Sequence, residues 1–179
     1  MREIIMVTGN KNKLAEAKAI LHDFNLVNVA IDLPELQGTP EEIVLEKAKL
    51  AYKRLKKPCF VEDVAFGFKT WNWLPGPYIK DFLKHVGVEN IPRLLRWKRK
   101  NAKAVCTIGY ATKNGVKIFS GQVHGRITSH GGREGFGFDR IFIPKGKFKR
   151  WSEIPKEEKN KESHRALALK KLRAYLEKE

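Results

Sequence analysis

Long apolar runs are missing from this sequence: nothing in its 179 residues approaches the roughly 20 consecutive apolar side chains that a membrane-spanning helix needs, so no such helix is expected. Cysteine is scarce as well. Cys59 and Cys106, the only two, each lie in a strand-like apolar run and fit neither a CxxC nor a zinc-ligand spacing, so they read as small core residues and no disulfide is expected. No secretory apolar segment follows Met1-Arg2-Glu3, which points to a reducing, cytoplasmic setting. Internal repeats, low-complexity tracts and linkers long enough to separate domains are also lacking. One domain over residues 1–179 is the expectation. Acid is short relative to base. Twenty Asp and Glu face 36 Lys and Arg, a net charge of +16, which suits a polyanionic partner but also a well-solvated surface.

What is present suffices for a packed core: 42% hydrophobic residues and 10% aromatics. Residues 3–7 form a short apolar run that breaks at Thr8-Gly9-Asn10, after which Leu14, Ala17, Ile20, Leu21 and Phe24 recur at helical spacing. A strand at about 27–31 leads to the loop Leu33-Pro34-Glu35-Leu36-Gln37-Gly38. Thr39-Pro40-Glu41-Glu42 then has the makings of a capping box, opening a helix to about Lys57. Cys59-Phe60-Val61 reads as a buried strand ending in Glu62-Asp63, which places two carboxylates where open α/β sheets put ligand chemistry. Leu74-Pro75-Gly76-Pro77 is a rigid turn before a helix through Tyr78, Ile79, Phe82 and Leu83, and a basic helix is expected over about 90–100. Two β-rich runs, 102–112 and 116–128, flank Asn114-Gly115 as a long hairpin. Gly131-Gly132 and Gly135-Phe136-Gly137-Phe138-Asp139 form a loop, Ile141-Phe142-Ile143 a last strand, and a closing helix begins near Ser163 with Leu169, Leu172 and Leu176 inward.

Four groups of residues could carry chemistry. Thr8-Gly9-Asn10-Lys11-Asn12-Lys13, between strand and helix, aims backbone N–H groups and a helix dipole at one point, which suits a phosphate, although the P-loop spacing GxxxxGK[ST] is absent. Glu35, Glu62 and Asp63 are hard oxygen donors of the kind Mg²⁺ takes together with substrate phosphates. Glu35 and Glu62 could instead merely balance nearby lysines. Lys159-Asn160-Lys161-Glu162-Ser163-His164-Arg165 sets cations against the dipole of the closing helix, which weakens a purely stabilising reading. Phe136 and Phe138 could stack a base or plug the core, with Asp139 as a turn cap.

In order along the chain, Thr8 to Lys13, Ile31 to Gly38, Glu62 to Leu83 with Leu74-Pro75-Gly76-Pro77-Tyr78-Ile79-Lys80, Gly135 to Pro144, and Glu158 to Leu169 closely resemble the inosine triphosphate pyrophosphatase family. The resemblance implies an elongated α/β fold with a central mixed sheet, two lobes flanking a nucleotide cleft, and a homodimer. It further implies hydrolysis of ITP, dITP and XTP between the α and β phosphates, which cleans the nucleotide pool. Carried over residue by residue, Thr8, Gly9, Asn10 and Lys13 hold the triphosphate together with Lys47. Glu35 and Asp63 hold Mg²⁺, with Mn²⁺ as an alternative, and Asp63 is the first choice for general base ahead of Glu62; Lys13 joins them as a catalytic residue. Phe136, Gly137 and Phe138 contact the base, and Asp139, Lys159, His164 and Arg165 read its edge. Val64, Phe138 and Arg140 depart from the family's usual residues.

Two alternatives remain open on the sequence. A Maf-like pyrophosphatase with other substrates is separated by the segment Lys159 to Arg165, which fits the purine enzymes. A nucleic-acid-binding module is suggested by Arg93, Arg96, Trp97, Lys98, Arg99, Lys100 and Lys103, but no RNA- or DNA-binding motif accompanies them. They read as a solvated helix face, and nucleic acid is not expected as a partner.

Overall fold

A computed structural model describes residues 2–132 and 134–178. The capping box forms as expected: Thr39 accepts from the Glu42 N–H while Glu42 accepts from the Thr39 N–H at 2.8 Å, opening a helix at Pro40. Among the described residues, seven strands and six α-helices follow one another as β1 (Glu3–Val7), α1 (Lys11–Ile20), β2 (Asn25–Val29), α2 (Pro40–Leu55), β3 (Cys59–Phe68), β4 (Pro75–Gly76), α3 (Ile79–Val86), α4 (Ile91–Leu94), β5 (Asn101–Thr112), β6 (Gly115–Ile127), β7 (Phe142–Pro144), α5 (Lys156–Glu162) and α6 (His164–Leu176). The strands make one mixed sheet in the order β2-β1-β3-β5-β6-β7, with β4 on β3. β1 runs parallel to β2 and β3, whereas β4 on β3 and β7 on β6 are antiparallel. The fold is α/β with a mixed sheet, as the sequence implied.

The chain divides into two compact units, residues 1–63 with 106–121 and 160–179, and residues 64–105 with 122–159. In the first, Ile5, Val7, Val44, Ala48, Ala51, Cys59, Val61 and Ala111 form an apolar core, and α6 buries Leu169, Leu172 and Leu176 as its spacing foretold. Both cysteines are buried free thiols; burial pushes the Cys59 thiol up to about 11, and Cys106 is raised as well, first by burial and then by the charge of Glu62. In the second, Phe66, Phe68, Ile91, Leu95, Ile127, Phe138, Phe142 and Trp151 pack together. The rings of Phe66 and Phe138 stack at 3.9 Å.

Three expectations need correction. β3 does not stop at Glu62-Asp63. Val64-Ala65-Phe66-Gly67-Phe68 continue it to ten residues, because Val64, Phe66 and Phe68 are β-forming and because β4 offers a partner, Phe66 opposite Gly76. The carboxylates therefore sit in mid-strand. The basic helix expected over about 90–100 is only Ile91–Leu94, after which the chain runs through turns to Asn101. In the hairpin, Lys113-Asn114 form the turn and Gly115 opens β6 at φ +113°, the pattern of a turn closed by a glycine at positive φ rather than a turn centred on Asn-Gly.

Gly121 fixes how closely α6 approaches β6. A Cβ there would lie 2.3 Å from the His164 carbonyl oxygen and 2.5 Å from the Ala168 nitrogen, both backbone atoms that cannot rotate away. Gly121→Ala is expected to destabilise by about 1–3 kcal/mol, the usual cost of overpacking, and to disturb His164 and Arg165 at the start of α6. Denaturant unfolding measures the first effect; an unchanged midpoint would show that the helix can move aside freely.

Candidate functional site

A strand sends successive side chains to opposite faces, so the adjacent residues Glu62 and Asp63 belong to different surroundings. Glu62 is 7% exposed and faces Arg165 of α6, whose Nε donates to both carboxylate oxygens at 3.0 Å and whose second guanidinium nitrogen lies 3.0 Å away. The Lys13 ammonium approaches it at 3.4 Å. The remaining guanidinium nitrogen of Arg165 donates to Glu16 of α1. Two cations and two anions thus close on one another below the surface. Burial alone would raise the Glu62 carboxyl, but the charges of Arg165 and Lys13 with their hydrogen bonds outweigh it and hold it below the usual carboxylate range.

Asp63 meets a different set. Lys47, projected from α2, places its ammonium 3.2 Å from Asp63 and 3.3 Å from Glu35, so one cation gathers both carboxylates. Here burial prevails over the charges of Lys47 and Lys13, Glu35 adds repulsion, and the Asp63 carboxyl is raised above its ordinary value. Parity along one strand has given neighbouring acids opposite shifts. Glu62 is committed as a charge, whereas Asp63 is the better proton acceptor of the two, since a less acidic carboxyl binds a proton more readily.

The turn before α1 differs from its expected form. Asn10 caps α1, its carboxamide oxygen accepting from the N–H groups of Asn12 at 3.0 Å and Lys13 at 3.2 Å, while Thr8 accepts from the Asn10 N–H at 3.1 Å. Those three N–H groups already have acceptors, so they would reach a phosphate only by exchanging those partners. Gly9 is exposed, with open space where a Cβ would point.

A second constellation, within residues 122–159, gathers around Asp139. One Asp139 oxygen accepts from the Lys159 ammonium at 2.7 Å and from the Phe136 N–H at 3.0 Å. Lys159, only 5% exposed, also stands 5.1 Å from the centre of the Phe136 ring and 5.6 Å from that of Trp151. Phe136 is half-buried and Gly137 exposed, whereas Phe138 lies in the core on Phe66. His164 and Arg165 are buried at the start of α6, capped by Ser163, which accepts from the Ala166 N–H.

Two contributors are absent from the sequence-based expectations. Glu16 lies three residues after Lys13, one turn along the same helix face, and that spacing was the available signal. Trp151 offered none, because its approach to Lys159 depends on loops folding together.

The Ham1 family model matches residues 4–175, and the chain belongs to that family. It is 44% identical over 183 residues to the inosine triphosphate pyrophosphatase of Schizosaccharomyces pombe, covering 100% of this chain and 97% of that protein. It is likewise 44% identical over 191 residues to the inosine triphosphate pyrophosphatase of Scheffersomyces stipitis, with 98% of each chain covered. Among solved structures, a HAM1 protein from Coxiella burnetii superposes with a TM-score of 0.86 at 26% identity over 100% of both chains. The Ham1 protein of Staphylococcus aureus gives 0.78 at 28% identity, with 99% of each covered.

Proposed function

We propose that this chain is a nucleoside triphosphate pyrophosphatase, a single such domain over residues 1–179, that hydrolyses ITP, dITP and XTP to the monophosphate and pyrophosphate and so clears deaminated purines from the nucleotide pool. The observation that carries the reading is the relationship at 44% identity, over the whole chain, to proteins named inosine triphosphate pyrophosphatase. No helix among the described residues is long and apolar enough to cross a membrane, consistent with a freely diffusing substrate. A cytoplasmic enzyme acting as a homodimer completes the proposal.

The chain's own residues support a mechanism. Lys47, Lys13 and the turn Thr8-Gly9-Asn10 would hold the triphosphate. Asp63 would accept the proton of the attacking water as it adds to the α phosphorus, and pyrophosphate would leave. Glu35 and Asp63 meet at one ammonium and fit Mg²⁺, which is held by one or two carboxylates and completed by substrate phosphates. No group of three or more His, Cys, Asp or Glu suited to a metal occurs among the described residues, so the nucleotide would supply the rest of the shell. When bound, Mg²⁺ (or Mn²⁺) would neutralise phosphate charge and acidify water.

For the base, Phe136 would stack with Gly137 beside it, and Phe138 would act from beneath, as the packing that holds this loop. Hypoxanthine and xanthine present an acceptor at O6 and a donor at N1. The Lys159 ammonium can donate to O6 and Asp139 can accept from N1–H, and adenine reverses both groups. A buried donor left unpaired costs about 1–3 kcal/mol, enough for useful discrimination from one or two contacts. His164 would add a further contact to the base edge. Arg165 reads that edge only by giving up one of its bonds to Glu62 or Glu16.

The test is incubation with a divalent cation and ITP, XTP, dITP, GTP, ATP or UTP, followed by identification of the released anion. Pyrophosphate from the first three, with ATP and UTP slow by roughly 10-fold or more, is expected. Release of orthophosphate would reject the proposal.

A further inference from the structure

The positive charge of this protein is unevenly distributed, and the excess surrounds an exposed tryptophan, Trp97, and a half-buried one, Trp73. Residues 64–105 and 122–159 carry 18 Lys and Arg against 7 Asp and Glu, so that +11 of the net +16 belongs to this compact unit. No Asp or Glu occurs between Glu89 and Glu134. Within that acid-free stretch Arg93, Leu94, Arg96, Trp97, Lys98, Arg99 and Lys100 are all exposed, and Trp97 is 89% exposed.

This segment is a fixed display. Ile91 and Leu95, both 0% exposed, are seated in the aromatic core of their unit. Backbone bonds tie Leu95 to Ile91 at 3.2 Å, Arg96 to Arg93 at 3.1 Å and Lys98 to Leu95 at 3.1 Å, and the Ile127 N–H donates to the Lys100 carbonyl at 2.7 Å. The buried residues thereby turn the charged ones and Trp97 outward. The Arg96 guanidinium lies 5.9 Å from the centre of the Trp97 ring. Three residues beyond Lys100, roughly 10 Å along β5, the pattern repeats: Lys103 stands 4.6 Å over Trp73, whose ring packs edge-on against His124.

Leaving a tryptophan in water among cations forgoes the gain from burial, and nothing in the proposed hydrolysis uses it. Aromatic faces beside guanidinium and ammonium groups are what single-stranded nucleic acids need, since unpaired bases stack on the rings while phosphates lie against the cations. An anionic membrane fits less well. Helix α4 has only four residues, and Leu94 and Trp97 are the only exposed large apolar side chains of the segment, too few for an amphipathic anchor. A symmetric contact with a second copy would set Arg93, Arg96, Lys98, Arg99 and Lys100 against themselves.

We propose that the basic segment Arg93 to Lys103, with the exposed Trp97 and the half-buried Trp73 as stacking faces, binds single-stranded nucleic acid separately from the nucleotide-hydrolysing site. This reverses the expectation drawn from sequence. Charge alone suggested a solvated helix, whereas the structure shows an anchored turn with its tryptophan uncovered.

The test is fluorescence anisotropy of a labelled oligothymidylate of about 12 nucleotides, with the same oligonucleotide as a duplex for comparison. Tight binding of the single strand at low salt is expected, with log K falling against log salt at a slope of about −2 to −4 between roughly 50 and 200 mM. Trp97→Ala should weaken binding about 10-fold, and the triple variant R96E/K98E/R99E should abolish it. All these side chains are exposed and outside the proposed hydrolytic site, so both variants should keep the wild-type melting temperature and wild-type kcat/KM on ITP. Four results would each overturn the proposal: no binding at low salt, binding indifferent to both variants, displacement of the oligonucleotide by saturating ITP, or binding to phosphatidylserine vesicles in place of the oligonucleotide. A dimer that dissociates in Trp97→Ala without any oligonucleotide binding would assign the surface to a second copy instead.

Discussion

Asp63→Asn is expected to lower kcat on ITP by about 10³-fold or more while changing the affinity for ITP only a few-fold, a general base being worth about 10²–10⁴ and a metal ligand adding to that. The replacement keeps the shape and a hydrogen-bond acceptor for Lys47 but removes the charge and the proton-accepting oxygen. Single-turnover kinetics beside equilibrium ITP binding would read the two quantities apart. Residual turnover near wild type would remove Asp63 from the role of base. Glu62 is a poor substitute, because Arg165 and Lys13 hold it as an anion and its oxygens already serve as acceptors. Activity surviving in Asp63→Asn but lost in Glu62→Gln would nevertheless transfer the role to it.

Arg165→Met is expected to destabilise the fold by about 3–5 kcal/mol at neutral pH, since it strands Glu62, a buried anion, with the more distant Lys13 ammonium to balance it. For a chain of this size that is a drop in melting temperature of roughly 6–20 °C. The pH dependence has a definite sign. In the wild type the folded Glu62 carboxyl lies below its reference value of 4.5, so its contribution is present above pH 4.5 and fades as the pH falls through the folded value. In the variant Lys13 alone is left of the two cations that oppose burial, and the carboxyl rises. A raised acid costs stability as it ionises, so the deficit relative to wild type should be largest near pH 7 and narrow on acidification toward 4.5. Denaturant midpoints at the two pH values test this, and a deficit that widens in acid would mean that Glu62 is not the stranded group.

The features legible in the sequence are those that depend on near neighbours. Thr39 and Glu42 announced a capping box because both partners lie within one helical turn, and Leu169, Leu172 and Leu176 announced the buried face of α6 through their spacing. The hairpin was legible too, although Asn114-Gly115 pointed one position past its turn. What could not be read was set by contacts across the chain. Phe138 is indistinguishable from Phe136 in sequence until Phe66 claims one of them for the core. Arg165 looked like a donor awaiting a ligand, yet its partners Glu62 and Glu16 stand 103 and 149 residues away. The length of β3 was missed because a carboxylate pair suggested a strand end, while the pairing that prolongs the strand comes from β4, across the turn that follows Phe68.

That prolongation has a consequence for substitution. Because Glu62 and Asp63 lie in mid-strand on opposite faces, the exchange E62D/D63E preserves composition, net charge and the local acid pair, and yet alters both faces at once. The shorter carboxylate would fall about one methylene short of Arg165, and the longer one would crowd the space shared by Lys47 and Glu35. A one-residue slip of the strand would do worse, presenting Glu62 to the lysine of α2 and Asp63 to the guanidinium. In this protein the order of two letters in a strand is a chemical instruction, and an alignment that scores Asp and Glu as near equivalents passes over it.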